Sequence, residues 1–149
     1  MKIRYQVTDR SELDLIAPLW EKLREHQRVR SVHFEQHYTN RTWTKRKTEL
    51  LTAKEIYIVL AKVDRDKIVG YCVSTLNDEN TGTIESIYVE PEYRKEHIGD
   101  KLIQMALTWL DDNKATSKVL TVGVGNEEVL GFYSRYNLFP KTIKLEQLR

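Results

Sequence analysis

The stretch YVEPEYRKEHIGDKLI, residues 88–103, reads as the end of a strand, a basic turn and the start of a helix. A chain uses that order to hold an anion. The first N–H groups of a helix have no intrahelical partner, and the helix dipole places partial positive charge there. Arg94 and Lys95 add full charges just ahead of it. Phosphate loops carry two or three glycines, however, and this turn has only Gly99. Two readings follow from the turn alone: an anion cradle, or a charged surface turn.

Working outward, Gly99 to about Asp112 has helical periodicity, with Leu102, Ala106, Trp109 and Leu110 on one face. A strand is expected over 118–125 (KVLTVGVG), then a short helix over 127–136 and a final strand in FPKTIKLEQ, 139–147. Strand 83–90, the helix and strand 118–125 form a βαβ unit, which makes those two strands parallel. Upstream, Ile3, Tyr5 and Val7 alternate as a half-buried strand over 2–8. Asp9 or Ser11 then caps a helix bearing Leu13, Ile16, Leu19 or Trp20, and Leu23, which Pro18 kinks or restarts. Residues 24–54 are polar and basic and read as a second helix with loops. EIYIVLAKV (55–63) and IVGYCVSTL (68–76) form a β-hairpin, and a turn at 77–82 leads back into strand 83–90. The expected fold class is α/β (α+β mixed): a central mixed, twisted sheet flanked by helices.

The chain of 149 residues suits a single domain, 1–149, with a core that needs neither disulfide nor metal. Hydrophobic residues make up 40% and charged residues 31%, which excludes a disordered chain. A formal charge of +2 is too mild to imply nucleic acid. A lone cysteine, Cys72, cannot form an internal disulfide, and MKIRYQVTDR shows no signal peptide. The longest apolar runs are too short to span a bilayer. The expected setting is cytoplasmic, with neither nucleic acid nor membrane as partner.

Set in its surroundings, IESIYVEPEYRKEHIGDKL (84–102) resembles the acyl-CoA-binding motif of the GNAT N-acyltransferase superfamily. That motif joins a strand, a V-x-P-x-Y-R turn and a Q/R-x-x-G-x-G/A loop that opens a helix. Val89, Pro91, Tyr93, Arg94, Ile98, Gly99 and Leu102 match in order. VGNEEVLGFYSRYNLF resembles the second signature, an Asn followed seven residues later by the Tyr of a Phe-Tyr pair: Asn126, Phe132 and Tyr133. Element order agrees from Lys2 to about Gln147. The resemblance implies a GNAT-like fold with splayed central strands and acetyl-CoA as co-substrate. It implies that the backbones of Ile87 and Val89 pair with the pantetheine arm. Backbone groups from Arg94 through Lys95, His97, Ile98 and Gly99 to Asp100 would wrap the pyrophosphate. Asn126 would touch the pantetheine or fix its loop, and Tyr133 would face the thioester sulfur. Three departures stand out. His97 replaces the middle glycine; it either takes a left-handed conformation, which His tolerates, or narrows the loop. Asp100 would repel a pyrophosphate unless it turns outward. Asn137-Leu138 replaces Gly-Phe, and Asn can end a helix as Gly does.

Acyl transfer to an amine needs the free base, and ammonium groups have pKa values of about 10.4 on lysine and about 7.7–8.0 on an α-amine. Glu85 is the candidate base. On a regular strand it shares a face with Ile87 and Val89, where apolar surroundings raise a carboxyl pKa; on a more open face it is solvated or paired with a lysine. Tyr133 is the candidate acid for the departing thiolate, against a purely packing role beside Leu130 and Phe132. Cys72, among apolar neighbours with no adjacent base, reads as a buried structural thiol, which favours direct attack in a ternary complex. His26, His33 and His37 could share one helical face, but HFEQH is not a zinc motif; they read as surface or acceptor-pocket histidines, and no metal site is expected. Arg41, Trp43, Lys45, Arg46 and Lys47 read as a solvated helix face.

The expected function is acetyl transfer from acetyl-CoA to a primary amine, small or peptidyl. The acceptor region falls at about 20–45 and 135–147. Its basic character favours an acidic or neutral acceptor unless Glu25 or Glu35 reverses the balance. The alternatives are a catalytically inactive CoA-binding regulatory domain, motivated by His97 and Asp100, and a basic interaction module acting through residues 22–47. A homodimer is compatible with the superfamily and is not fixed by any residue.

Overall fold

The computed structural model describes residues 2–149. β1 (Arg4–Thr8) is followed by a 3-10 turn, Arg10–Ile16, whose first N–H groups are met by Asp9: its side chain accepts from the Ser11 amide. Helix α1 (Ala17–Arg30) restarts at Pro18, which has no amide hydrogen to waste in a first turn. The polar segment beyond it holds two short helices, α2 (Glu35–Asn40) and α3 (Trp43–Leu51), where one had been expected. β2 (Glu55–Val63) and β3 (Lys67–Leu76) make the hairpin, turned through Asp64 and Asp66 at positive φ. β4 (Thr81–Val89), a 3-10 turn (Pro91–Glu96), α4 (Ile98–Asp112) and β5 (Ser117–Leu120) form the βαβ unit. A 3-10 turn, Glu127–Val129, runs into α5 (Leu130–Ser134).

The sheet order is β1-β2-β3-β4-β5, antiparallel except for the β4–β5 pair. Both faces are covered, which explains why β2 carries apolar side chains on either side. Val59, Ala61 and Val63 pack with Ile98, Leu102, Ile103, Ala106 and Leu110 of α4. Ile58 and Leu60 pack on the opposite face with Leu13, Ile16, Leu19, Trp20 and Leu50 from the first helices. The α4 positions recur every three or four residues, so one stripe of the helix is buried. Trp109 lies at the stripe's edge and stacks on Tyr57, with ring centroids 5.0 Å apart.

Two expectations fail at the C-terminal side. Strand 118–125 is only four residues long, because β5 leaves β4 after the Ile84–Leu120 pair and has no ladder beyond it. No strand forms over 139–147. Strand hydrogen bonds need a partner edge, and the irregular chain after Leu120 offers none. Ile143 and Leu145 alternate as expected but are 80% and 89% exposed. The acceptor region anticipated at 135–147 therefore has no regular structure of its own.

Candidate active site

The early parting of β4 and β5 shapes the site. From Glu85 to Val89, the edge of β4 away from β3 has no ladder partner. Two clefts open along this gap. The larger, about 450 Å³, runs from Ile87 and Val89 past Tyr88 and Arg94 to His97, Gly99 and Asp100. Its volume falls in the range of small-molecule sites, roughly 300–1,000 Å³. The smaller, polar cleft is lined by Gln27, Glu85, Ser86 and Thr121. Leu23, Ile87, Asn126, Val129 and Tyr133 belong to both, so the clefts meet beside Tyr133.

At the far end of the larger cleft, α4 begins without a side-chain cap. Its first intrahelical bond runs from Lys101 N–H to His97 O at 3.2 Å, leaving the preceding amides available to an anion. His97 sits at φ 58°, ψ 27°, a left-handed conformation. The histidine thus occupies a glycine's backbone position, and its ring, 85% exposed, has Asp100 (3.4 Å) as its polar partner among the described residues. Asp100, at the lining of the cleft, is held by residues of the second motif. Its carboxylate accepts from the Tyr136 hydroxyl and pairs with Arg135 at 2.9 Å. The Tyr136 bond, with smaller help from His97 and Arg135, holds the Asp100 carboxyl below its ordinary 3.8. These contacts pair the Asp100 charge with Arg135 and tie the turn to the second motif. Arg94 folds back to donate to Val89 O (3.0 Å), with its guanidinium over the Tyr88 ring. Lys95 is exposed and lies outside the cleft lining; Ile98 is buried in the core, so only its backbone can serve a ligand.

Asn126 stands on the loop after β5 with its Oδ1 3.3 Å from His26 Nε2. That loop is held against the end of α1: Gly125, at φ 101°, lies so close to Arg30 that a Cβ would sit 2.2 Å from its carbonyl oxygen. Arg30 also pairs with Glu128 at 2.6 Å. Tyr133 is buried, 9% exposed, and burial, with a smaller effect of nearby Cys72, pushes its phenol up to about 12. The phenol therefore keeps its proton at neutral pH. After α5, Asn137 takes φ 61°, and the helix ends on an asparagine in the left-handed region as expected.

Glu85 does not share a face with Ile87 and Val89. Val73 pairs with Ser86 and Ser74 with Ile84, so Glu85 is the extra residue of a β-bulge. The bulge turns it toward α3. Its Oε1 accepts from Arg46 at 3.2 Å and its Oε2 from the Thr75 hydroxyl at 2.6 Å. The environment is polar, unlike the apolar face expected. Arg46 accordingly leaves the solvated face assigned to it and is only 8% exposed, while Lys47 pairs with Asp14 at 2.7 Å. The three histidines do not share a helical face: His26 lies in α1, His33 in the loop beyond and His37 in α2. No group of three or more metal-ligating side chains occurs among the described residues. The region of about 20–45 was expected to border the acceptor, with its histidines as surface or acceptor-pocket residues; the contact of His26 with Asn126 and the packing of Arg46 on Glu85 were not anticipated.

The sequence profile of the Acetyltransferase (GNAT) family matches residues 20–137. The chain belongs to the GNAT acetyltransferase family. Its fold is that of solved GNAT structures. A ribosomal-protein-alanine N-acetyltransferase from Brucella melitensis biovar Abortus 2308 superposes with a TM-score of 0.66 at 17% identity, covering 99% of both chains. The BH1408 protein of Bacillus halodurans, as a tetramutant, gives 0.73 at 17% identity over 100% of each chain. AAC(6')-Iy, solved with a CoA bisubstrate analogue, gives 0.62 at 13% identity, covering 100% of this chain and 98% of that one. No curated protein sequence is significantly similar to this GNAT chain. Among the described residues, no helix is long and apolar enough to cross a membrane.

Proposed function

We propose that this GNAT protein transfers an acetyl group from acetyl-CoA to a primary amine, by direct attack within a ternary complex. The observation that carries this reading is the meeting of two clefts at Ile87, Asn126 and Tyr133, one ending on uncapped helix amides and the other on a carboxylate.

The larger cleft fits acetyl-CoA in the chemistry of its donors. The amides at the start of α4, together with Arg94, suit a pyrophosphate, and Arg135 pairs with the Asp100 carboxylate that stands among them. The unpaired edge of β4 at Ile87 and Val89 suits an amide-bearing arm that adds as a strand. Acetyl-CoA supplies an acetyl group activated as a thioester. In the smaller cleft, Glu85 receives the ammonium and takes its proton, directly or through a water. Each of its carboxylate oxygens keeps a lone pair beyond the bond to Arg46 or Thr75. Tyr133, protonated at the junction, gives its proton to the departing thiolate. His26 and the loop anchored at Gly125 hold Asn126 at that same junction. Cys72 takes no part: it is fully enclosed, and burial pushes its thiol up to about 12.

The inactive CoA-binding alternative rests on His97 and Asp100; the left-handed backbone of His97 and the Arg135 partner of Asp100 favour the active reading over it. Calorimetric titration with acetyl-CoA, followed by thiol release across a panel of amines, tests the proposal. Binding with release on at least one amine is expected. Binding without release on any amine would favour a regulatory domain, and no binding would defeat the proposal.

A further inference from the structure

The face of α1 that borders the site carries Leu23, His26 and Gln27, spaced so that they lie together on one side of the helix. The charged residues of α1 do not compete for that place. Glu21 pairs with Arg24, Glu25 with Arg28, Lys22 with Glu90 and Arg30 with Glu128. His26 is half-buried, lines the larger cleft and sets its Nε2 3.3 Å from Oδ1 of Asn126. Asn126 in turn lines both clefts, as do Ile87 and Tyr133. The contact therefore lies where the two clefts meet.

The backbone of Asn126 has little freedom. Its N–H donates to Gly123 O at 3.1 Å, and its carbonyl accepts from the Val129 N–H at 3.3 Å. The preceding residue, Gly125, is wedged against the carbonyl of Arg30. What is left free is the carboxamide, which by a half turn presents either its oxygen or its amide hydrogens to a neighbour. His26 decides between the two. A proton on Nε2 makes the ring a donor to Oδ1; without that proton, the ring accepts from the amide nitrogen instead. Imidazolium and the Nε2–H tautomer both donate, and only the Nδ1–H tautomer does not. With Oδ1 on His26, the Asn126 amide nitrogen makes no hydrogen bond among the described residues and is not enclosed, so its hydrogens are available to a ligand.

We infer that His26 is a positioning residue: its Nε2–H holds Oδ1 of Asn126 and so turns the amide hydrogens toward the junction, where they donate to a carbonyl oxygen of acetyl-CoA. This rests on the acetyltransferase reading above and deepens it. The arm brings two carbonyls toward the junction, that of the thioester and that of the nearest pantetheine amide, and either is met by a donor there. With the amide reversed, Oδ1 would face the carbonyl, acceptor against acceptor.

The test measures acetyl-CoA affinity by calorimetry for His26→Gln and His26→Glu. The two side chains match in size and helix propensity, and only the first can donate to Oδ1 at neutral pH. His26→Gln should stay within about threefold of the parent, whereas His26→Glu, which draws the amide hydrogens to itself, should weaken binding by about 10-fold or more. A negative charge beside a polyanionic ligand weakens binding by itself, so both variants are repeated in an Asn126→Ala background. The gap between them should shrink there by about threefold or more; a pure charge effect survives undiminished. Free CoA lacks the thioester carbonyl: an equal loss with both ligands identifies the pantetheine amide as the partner, and a loss with acetyl-CoA alone identifies the thioester. Nitrogen NMR of the imidazole in the free protein is a readout independent of ligand, and a proton on Nε2 whose signal moves in Asn126→Ala is expected. Equal affinities of His26→Gln and His26→Glu, a gap undiminished in Asn126→Ala, or an Nε2 without a proton overturns the inference. If the parent binds no acetyl-CoA, the transfer reading fails, and the imidazole signal then decides the pairing: a shift in Asn126→Ala upholds the positioning of Asn126 by His26, and its absence overturns it.

Discussion

Replacing Tyr133 by Phe removes one oxygen from the junction of the two clefts and little else. Among the described residues the hydroxyl has no hydrogen-bond partner, so its loss strands none. The ring remains in the core beside Phe132, whose centroid is 5.3 Å away. Folding stability should change by less than about 1 kcal/mol, below the cost of breaking a made hydrogen bond. Catalysis should suffer far more. General acid catalysis contributes about 10²- to 10⁴-fold, and the lower half of that range corresponds to about 2.7–4 kcal/mol of barrier. The predicted outcome is a fall in kcat of about 100- to 1,000-fold at an unchanged Kd for acetyl-CoA. Thiol release in single turnover, with saturating amine, reads the chemical step free of product release. The pH profile adds a second check. With its phenol pushed up to about 12, Tyr133 stays protonated through pH values near 10, where an ordinary phenol is half ionised, and should impose no loss of rate there. A variant within twofold of the parent rate, at equal affinity, refutes the assignment of Tyr133 as the acid.

His97→Gly keeps the left-handed turn and removes a largely exposed ring whose polar contact is with Asp100; acetyl-CoA affinity by calorimetry should stay within about twofold, and a loss of tenfold would show that the ring holds the ligand. Asp100 has a folded-state carboxyl below its ordinary 3.8, so its contribution to stability is present above that value and lost as pH falls below it. Chemical denaturation should accordingly find Asp100→Asn less stable than the parent at neutral pH, with the gap closing below about pH 4; a gap independent of pH would contradict the Tyr136 and Arg135 contacts. Gly125→Ala forces a side chain onto the Arg30 carbonyl at a positive φ, which should cost on the order of 3 kcal/mol and lower Tm by about 6–12 °C. An unchanged melting curve would show that the loop holding Asn126 does not depend on its contact with α1.

Local chemistry made much of this molecule legible in advance. Apolar periodicity marked the 55–76 hairpin and α4, Pro18 marked the start of α1, and the turn motif located the helix amides. The left-handed readings of His97 and Asn137 followed from which residues tolerate that conformation. What stayed hidden depends on long-range geometry. Period-two reasoning gave Glu85 the wrong face, because a bulge shifts every side chain on one side of it and leaves no mark in composition. Arg46 looked like one of a solvated run until its guanidinium was found against β4. The partners of Asp100 come from residues 135 and 136, beyond the reach of any local rule. Strand 139–147 failed for the complementary reason: its pattern suits a strand, but pairing requires an edge that β5 does not extend.

A crystal structure with acetyl-CoA tests the central claim most directly. The account predicts the pantetheine arm in the gap between β4 and the chain after β5, the pyrophosphate on the amides that open α4, and the thioester sulfur within hydrogen-bond reach of the Tyr133 hydroxyl. Acetyl-CoA bound anywhere else, or with its thioester remote from Tyr133 and Glu85, would contradict it.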